Sequence, residues 1–219
     1  MNLSWRCPIG LALVLLALPL APARAGERSY SPADIIDWES HAFAGLTRYS
    51  LVEAEGRPAI HAVCEPGAAS GLFLETRIDL DQTPIIEWDW RVARVFEGLD
   101  EQTRAGDDYP ARLYLIDARP IARWRTRAIN YVWSSSMPES SRWPNAFASQ
   151  AVMIAARSGA SADPGQWHTE RRDLRADFQS AHGAGRQHLN TLAIMTDCDN
   201  SGQSVEAWYG GIRLLPADP

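Results

Sequence analysis

The stretch 191-TLAIMTDCDNSGQSVEAWYGGIRLL-215 decides the fold. Its two arms, LAIMT and VEAWYGGIRLL, are apolar, aromatic or β-branched, and a polar Asp-Cys-Asp-Asn-Ser-Gly run separates them. Short runs of that composition, bounded by Asp, Asn, Ser and Gly, read as two strands joined by a loop. The loop carries Asp197, Asp199 and Asn200 within four positions. Such a set can hold a cation, cap a turn or present carboxylates to a ligand.

Working outward, the same grammar recurs along the chain. Residues 46–52, 59–63, 71–78, 85–92, 111–117, 128–134, 148–156 and 168–173 are further short segments bounded by turn formers. Alternation supports the strand reading. Glu87, Asp89 and Arg91 interleave with Trp88 and Trp90. Arg112 and Tyr114 interleave with Leu113 and Leu115, and Tyr131 and Trp133 with Asn130, Val132 and Ser134. Side chains two apart share a face in a strand. Helical signals are confined to 31–36, where Ser31 is placed to cap and Pro32 to start the helix, and to 174–182. The expected fold is therefore all-β, a jelly-roll-like antiparallel sandwich with one or two short helices.

Residues 1–25 are expected to lie outside that fold. Arg6, an apolar run from Ile9 to Leu20 and the ending Ala23-Arg24-Ala25 form a secretory signal with a small-residue cleavage site. Its apolar run is too short to span a bilayer comfortably. The expected mature chain, residues 26–219, is a single domain with no membrane span, periplasmic or secreted. Without Arg6 and Arg24, 19 of the 21 basic residues remain, all Arg, against 27 acids, a formal charge of −8. An acidic product of this kind argues against a nucleic-acid partner, whose phosphates require clustered positive charge. Cys64 and Cys198 remain, and the sequence leaves them open as a disulfide or as two half-buried thiols.

Four constellations could carry chemistry. Gly106-Asp107-Asp108-Tyr109-Pro110 is a turn leading into a strand whose first outward residue is Arg112, so an aspartate could orient that arginine. Glu170, in Trp167-His168-Thr169-Glu170-Arg171, could pair across strands with Arg112 or act as a general base. In the loop, Asp197, Asp199 and Gly202 match positions 1, 3 and 6 of a calcium-binding EF-hand loop, but Trp208 stands where the bidentate Glu belongs. Calcium at Asp197, Asp199 and Asn200 is the resulting cofactor expectation. The fourth is tryptophan density: eight of the nine Trp follow the signal. Most should fill the core, with Trp88, Trp90 and Trp133 the ones that could instead stack on a ligand.

W-D-W-R-V, G-D-D-Y-P-A-R-L-Y, Y-V-W-S-S, W-H-T-E-R-R-D-L-R-A-D-F and A-I-M-T-D-C-D-N-S-G, taken in order, resemble the successive motifs of the bacterial domain-of-unknown-function family three-zero-four-seven. The resemblance runs from about residue 43 to residue 214. It implies an exported bacterial protein with a sugar-binding-module-like jelly roll and brings no established activity. The family pattern usually shows Thr where Cys198 stands. The closing A-W-Y-G-G-I-R-L is also similar to the last strand of many galactose-binding-like modules.

These readings lead to an exported module binding a carbohydrate or other polar small ligand of the cell envelope. Trp88, Trp90, Arg112, Tyr131, Trp133 and Asp197 would supply stacking faces and hydrogen bonds on one sheet. A second reading is a hydrolase or lyase acting on an envelope polysaccharide, with Glu170 and one of Asp107, Asp108 or Asp197 as acid/base pair. A third is a structural or assembly protein whose polar motifs only brace the fold.

Overall fold

The computed structural model describes residues 26–159 and 163–218. The expected signal segment, 1–25, lies outside the described residues. Thirteen strands and two short helices occur in the order β1 (Arg28–Tyr30), α1 (Pro32–Ile35), β2 (Glu39–Ala44), β3 (Arg48–Ala54), β4 (Arg57–Cys64), β5 (Ala69–Asp79), β6 (Ile85–Val92), β7 (Arg112–Asp117), β8 (Arg127–Ser134), β9 (Arg142–Pro144), β10 (Ala151–Ser158), β11 (His168–Asp173), α2 (Leu174–His182), β12 (His188–Asp197) and β13 (Val205–Leu215). A six-stranded sheet runs β11-β6-β13-β4-β3, with β1 beside β13, and a seven-stranded sheet runs β2-β5-β12-β7-β8-β10-β9. Among the described residues no helix is long and apolar enough to cross a membrane.

The all-β sandwich is as expected, with one departure from an antiparallel design: β10 pairs parallel to β8. The three strands not anticipated are β1, β2 and β9. Two are three residues long, and β2 (ESHAFA) is mostly exposed at the sheet edge, so neither type shows an apolar alternation. Both helices form where expected. Ser31 and Asp34 make a reciprocal capping box on α1, and α2 starts on an Asp173 cap and stops at Gly183 in the left-handed conformation.

The inner faces of the two sheets meet in one large core. Its centre is aromatic: Trp88 lies 5.1 Å from Tyr131 and Trp90 lies 5.9 Å from Trp133, ring centre to ring centre, each pair joining β6 of one sheet to β8 of the other. These four rings are buried. This corrects the expectation that they offer stacking faces, because burial against the opposite sheet leaves no face for a ligand. The polar residues between the tryptophans of β6 take the outer side, where Glu87 pairs with Arg171 and Arg213. Near the middle of β13 the register slips between Tyr209 and Ile212. A Cβ on Gly210 would stand 2.7 Å from Asp89 Cβ, so that close approach of β13 to β6 needs glycine.

Cys64 and Cys198 form a disulfide. It joins the end of β4, in the six-stranded sheet, to the residue after β12, in the seven-stranded one.

Candidate functional site

The outer face of the seven-stranded sheet carries Arg112 and Tyr114 from β7, Asn130 from β8, and Met195 and Asp197 from β12. Their alternates Leu113, Leu115, Ile129, Tyr131, Leu192 and Ile194 fill the core. β7 and β12 run antiparallel with Arg112 opposite Met195, which sets Arg112 beside Asp197 although 85 residues separate them.

Arg112 is the hub. Its Nε donates to Asp197 Oδ1 at 2.8 Å, and one terminal nitrogen donates both to Asp197 Oδ2 and to the Asp107 backbone carbonyl. The other donates to the Tyr114 hydroxyl at 3.0 Å. The guanidinium lies over the Tyr109 ring, 4.3 Å from its centre. Asp197 also accepts the Tyr109 N–H at 3.1 Å. Arg112, Asp107 and Asp197 are all buried. Burial pushes the Asp197 carboxyl well above the usual carboxylate range, against the downward pull of Arg112, and acts in the same sense on Asp107.

Asp108 braces the loop after β12. It accepts the Asn200 N–H at 3.0 Å, the Asn200 side-chain amide at 3.1 Å and the Ser201 N–H. That is the turn-capping use of an aspartate applied across two loops. Gly202, at φ +67°, closes the turn. Asp199 is half-buried, and burial followed by the Asp108 charge raises its carboxyl. One oxygen each from Asp108, Asp197 and Asp199 lies within 4.8 Å of the others. The acid trio able to meet at one cation is therefore Asp108, Asp197 and Asp199, whereas Asn200 turns its amide nitrogen toward Asp108 and Asp199.

These groups line one side of a cleft of about 350 Å³. Asn145, which donates to Asp107 at 2.9 Å, and Phe147 line it as well. Phe43 and Phe147 are 61% and 54% exposed at the cleft; Phe43 meets His41 edge-on at 4.8 Å, and the Arg104 guanidinium lies over the Phe147 ring, 5.3 Å from its centre. Asn130 lies in the floor with its amide nitrogen 3.2 Å from Met153 Sδ. Its Oδ1 is buried without a hydrogen-bond partner.

Of the residues singled out from the sequence, Asp107, Arg112, Asp197, Asp199 and Asn200 line this cleft, and Asp108 supports it. Glu170 does not join them. It sits on β11 of the six-stranded sheet, accepting from Trp90 Nε1 at 3.1 Å and from Arg157 Nε at 2.6 Å. The anticipated Glu170–Arg112 pairing is thus replaced by Glu170–Arg157. The anticipated acid/base pair is not assembled, since Glu170 lies on the six-stranded sheet while Asp107 and Asp108 precede β7, and Asp197 ends β12, of the seven-stranded one. Phe43, Asn130, Asn145 and Phe147 were not anticipated. Only Asn130 left a trace, as a polar residue alternating with aromatics in 128–134.

The model of a family described as "Protein of unknown function (DUF3047)" matches residues 36–213. No curated protein matches. Among solved structures, the chain is similar to the family 11 carbohydrate-binding module of the cellulosomal cellulase Lic26A-Cel5E of Clostridium thermocellum, at 12% identity and TM-score 0.47, covering 88% of this chain and 95% of that one. The family 30 carbohydrate-binding module of the cellulosomal cellulase Cel9D-Cel44B of the same organism gives 12% identity and TM-score 0.47, with 83% and 92% covered. The endoglucanase Cel12A from Rhodothermus marinus gives 10% and 0.41, with 86% and 99% covered.

Proposed function

This chain belongs to the DUF3047 family, and from that premise we propose that it is an exported binding module, periplasmic or secreted. Its ligand is a carbohydrate or other polar small molecule of the cell envelope, held in the cleft on the outer face of the seven-stranded sheet. The observation that carries this reading is the convergence of Arg112, Asp197, Asp107, Asn130 and Asn145 on one cleft with the exposed rings of Phe43 and Phe147. A sugar ring offers apolar C–H faces and a rim of hydroxyls. Exposed aromatic rings suit the first. Carboxylates and a spare amide oxygen suit the second, since a hydroxyl can donate to Asn130 Oδ1.

Charge narrows the ligand. Asp107, Asp197 and Asp199 line the cleft against Arg112 alone, and Arg112 is already paired. Neutral or cationic ligands are favoured over uronic acids or phosphates, which meet like charge. In titration calorimetry against envelope glycans, Phe43→Ala and Phe147→Ala should each weaken binding by roughly three- to tenfold, the range for losing one aromatic contact. Both side chains are exposed, so the fold should be unaffected. A folded protein that binds no envelope glycan or related polar molecule would sink the reading. Variants in Arg112 or Asp107 that lose stability with no separable ligand defect would support a bracing role instead.

Calcium is the cation proposed for the Asp108–Asp197–Asp199 corner, whose all-oxygen donors suit a hard ion. Millimolar calcium should raise the melting temperature and a chelator should lower it, by linkage. A melting temperature indifferent to both would remove calcium from the proposal and leave the cleft intact.

A further inference from the structure

The hairpin between β7 and β8 ends in Ala118-Arg-Pro-Ile-Ala-Arg-Trp-Arg-Thr-Arg127, with four arginines in ten residues. No acid occurs from 118 to 138, in a chain whose formal net charge is −6. Ile121 is 97% exposed and Trp124 is 71% exposed, the two most exposed large apolar side chains among the described residues. The base of the hairpin is fixed. Ala118 exchanges two hydrogen bonds with the Asn190 side chain, at 2.7 and 2.9 Å, and the Arg119 N–H donates to Thr126 Oγ1 at 3.0 Å. The exposed tip is thus presented on a braced stem.

Beside the tip, Arg119, Arg125 and Arg186 surround a cavity of about 300 Å³ with Asp117 at its floor. Asp117 is buried and orients two of the three, Arg119 at 2.9 Å and Arg186 at 3.0 Å. One carboxylate against three guanidiniums leaves the cavity lining with a net charge of +2. Guanidiniums held in this way suit an anionic oxygen group.

We propose that this tip docks the protein on a lipid bilayer bearing anionic headgroups. Trp124 and Ile121 enter the interface, and the Arg119–Arg125–Arg186 cavity takes a headgroup phosphate. The combination selects the partner. A soluble polyanion would use the arginines but has no place for Ile121 and Trp124, whereas a bilayer interface accepts Trp and apolar side chains beside cations. The acidic body is repelled by the same surface, which favours approach by the tip. Arg112, at the other end of β7, lies roughly 17 Å away along the strand, so a docked tip leaves the cleft free.

The test is co-sedimentation at low ionic strength of the protein, as processed by the host that secretes it, with two vesicle preparations. One is phosphatidylcholine alone and the other is phosphatidylcholine mixed with phosphatidylglycerol. Partitioning should be at least about tenfold greater on the mixed vesicles and should fall as salt is added. Trp124→Ala should reduce it on the order of tenfold and Arg125→Gln about fivefold, with melting temperatures unchanged because both side chains are exposed. No partitioning on mixed vesicles, equal partitioning on both kinds, or partitioning unaltered by Trp124→Ala would overturn the proposal. Capture by heparin that is indifferent to Trp124→Ala, without vesicle binding, would assign the tip to a soluble polyanion and overturn it too.

Discussion

Replacing Cys64 and Cys198 together by alanine should lower the free energy of unfolding by about 4–5 kcal/mol, the loop-entropy value for a bridge closing more than 100 residues. The two cysteines are 134 positions apart, so the bond constrains most of the unfolded chain. It also ties one sheet to the other at the end of β12, between the cleft residues Asp197 and Asp199. The cleft itself should survive. Cys198 N–H donates to the Ala68 carbonyl at 2.9 Å, and Gly67 N–H donates to the Cys198 carbonyl at 3.3 Å, so backbone bonds still seat the loop without the bridge. Urea denaturation should therefore show a large shift in midpoint, while ligand affinity measured on the folded variant changes little. A loss under about 1 kcal/mol would mean that the unfolded chain is already restrained by other means.

Arg112→Met should cost a comparable amount, about 3–5 kcal/mol, the range for removing one partner of a buried ion pair. The shape is roughly kept, but Asp197 loses a two-point partner and Asp107 a neighbouring charge. The sign of the pH dependence follows from burial. The Asp197 carboxyl already lies above its ordinary range with Arg112 present, and without Arg112 nothing opposes that rise. A raised folded-state pKa adds stability below the unfolded value, about 4, and loses it as pH rises through the folded value. The deficit of Arg112→Met should thus be smallest near about pH 4–5 and grow toward neutrality. Adding Asp197→Asn should recover part of it, since the buried charge is then gone. A deficit that is flat with pH would show that Asp197 is not the group left stranded.

Much of the sandwich was legible because alternation survives in the central strands. In β6 the order Glu-Trp-Asp-Trp-Arg declares two faces from sequence alone. What alternation does not declare is which face looks inward in this molecule. Reading the tryptophans as a binding surface failed there, because the charged alternates have ion-pair partners outside and the rings have each other inside. Of the strands that escaped, β1 and β9 are three residues long, too brief to show a period, and β2 is mostly exposed, so burial imposes no pattern on it.

The site divides in the same way. Asp107, Asp108, Arg112 and Asp197 stood out as polar residues at turns and strand ends, where side chains reach a sheet rim. Their meeting depends on the β7–β12 register, a long-range fact with no local signature. Phe43 and Phe147 are isolated in sequence and acquire meaning only beside Arg112. Trp124 stood in the sequence as one tryptophan among the eight that follow the signal. Its exposure comes from the hairpin that carries it.

The parallel pairing of β10 with β8 has a consequence for how such a cleft can change. A strand laid antiparallel to β8 could follow after a tight turn, but a parallel one must begin at the end where β8 began. The chain therefore spends residues 135–150 travelling back, and Asn145 and Phe147 ride on that return. The part of the cleft lined by Asn145 and Phe147 is thus a passenger of the connection, while Arg112, Asn130 and Asp197 belong to the sheet. Substitutions at Asn145 and Phe147, between β9 and β10, can redraw what the cleft admits and leave the β8–β7–β12 ladder beneath it untouched.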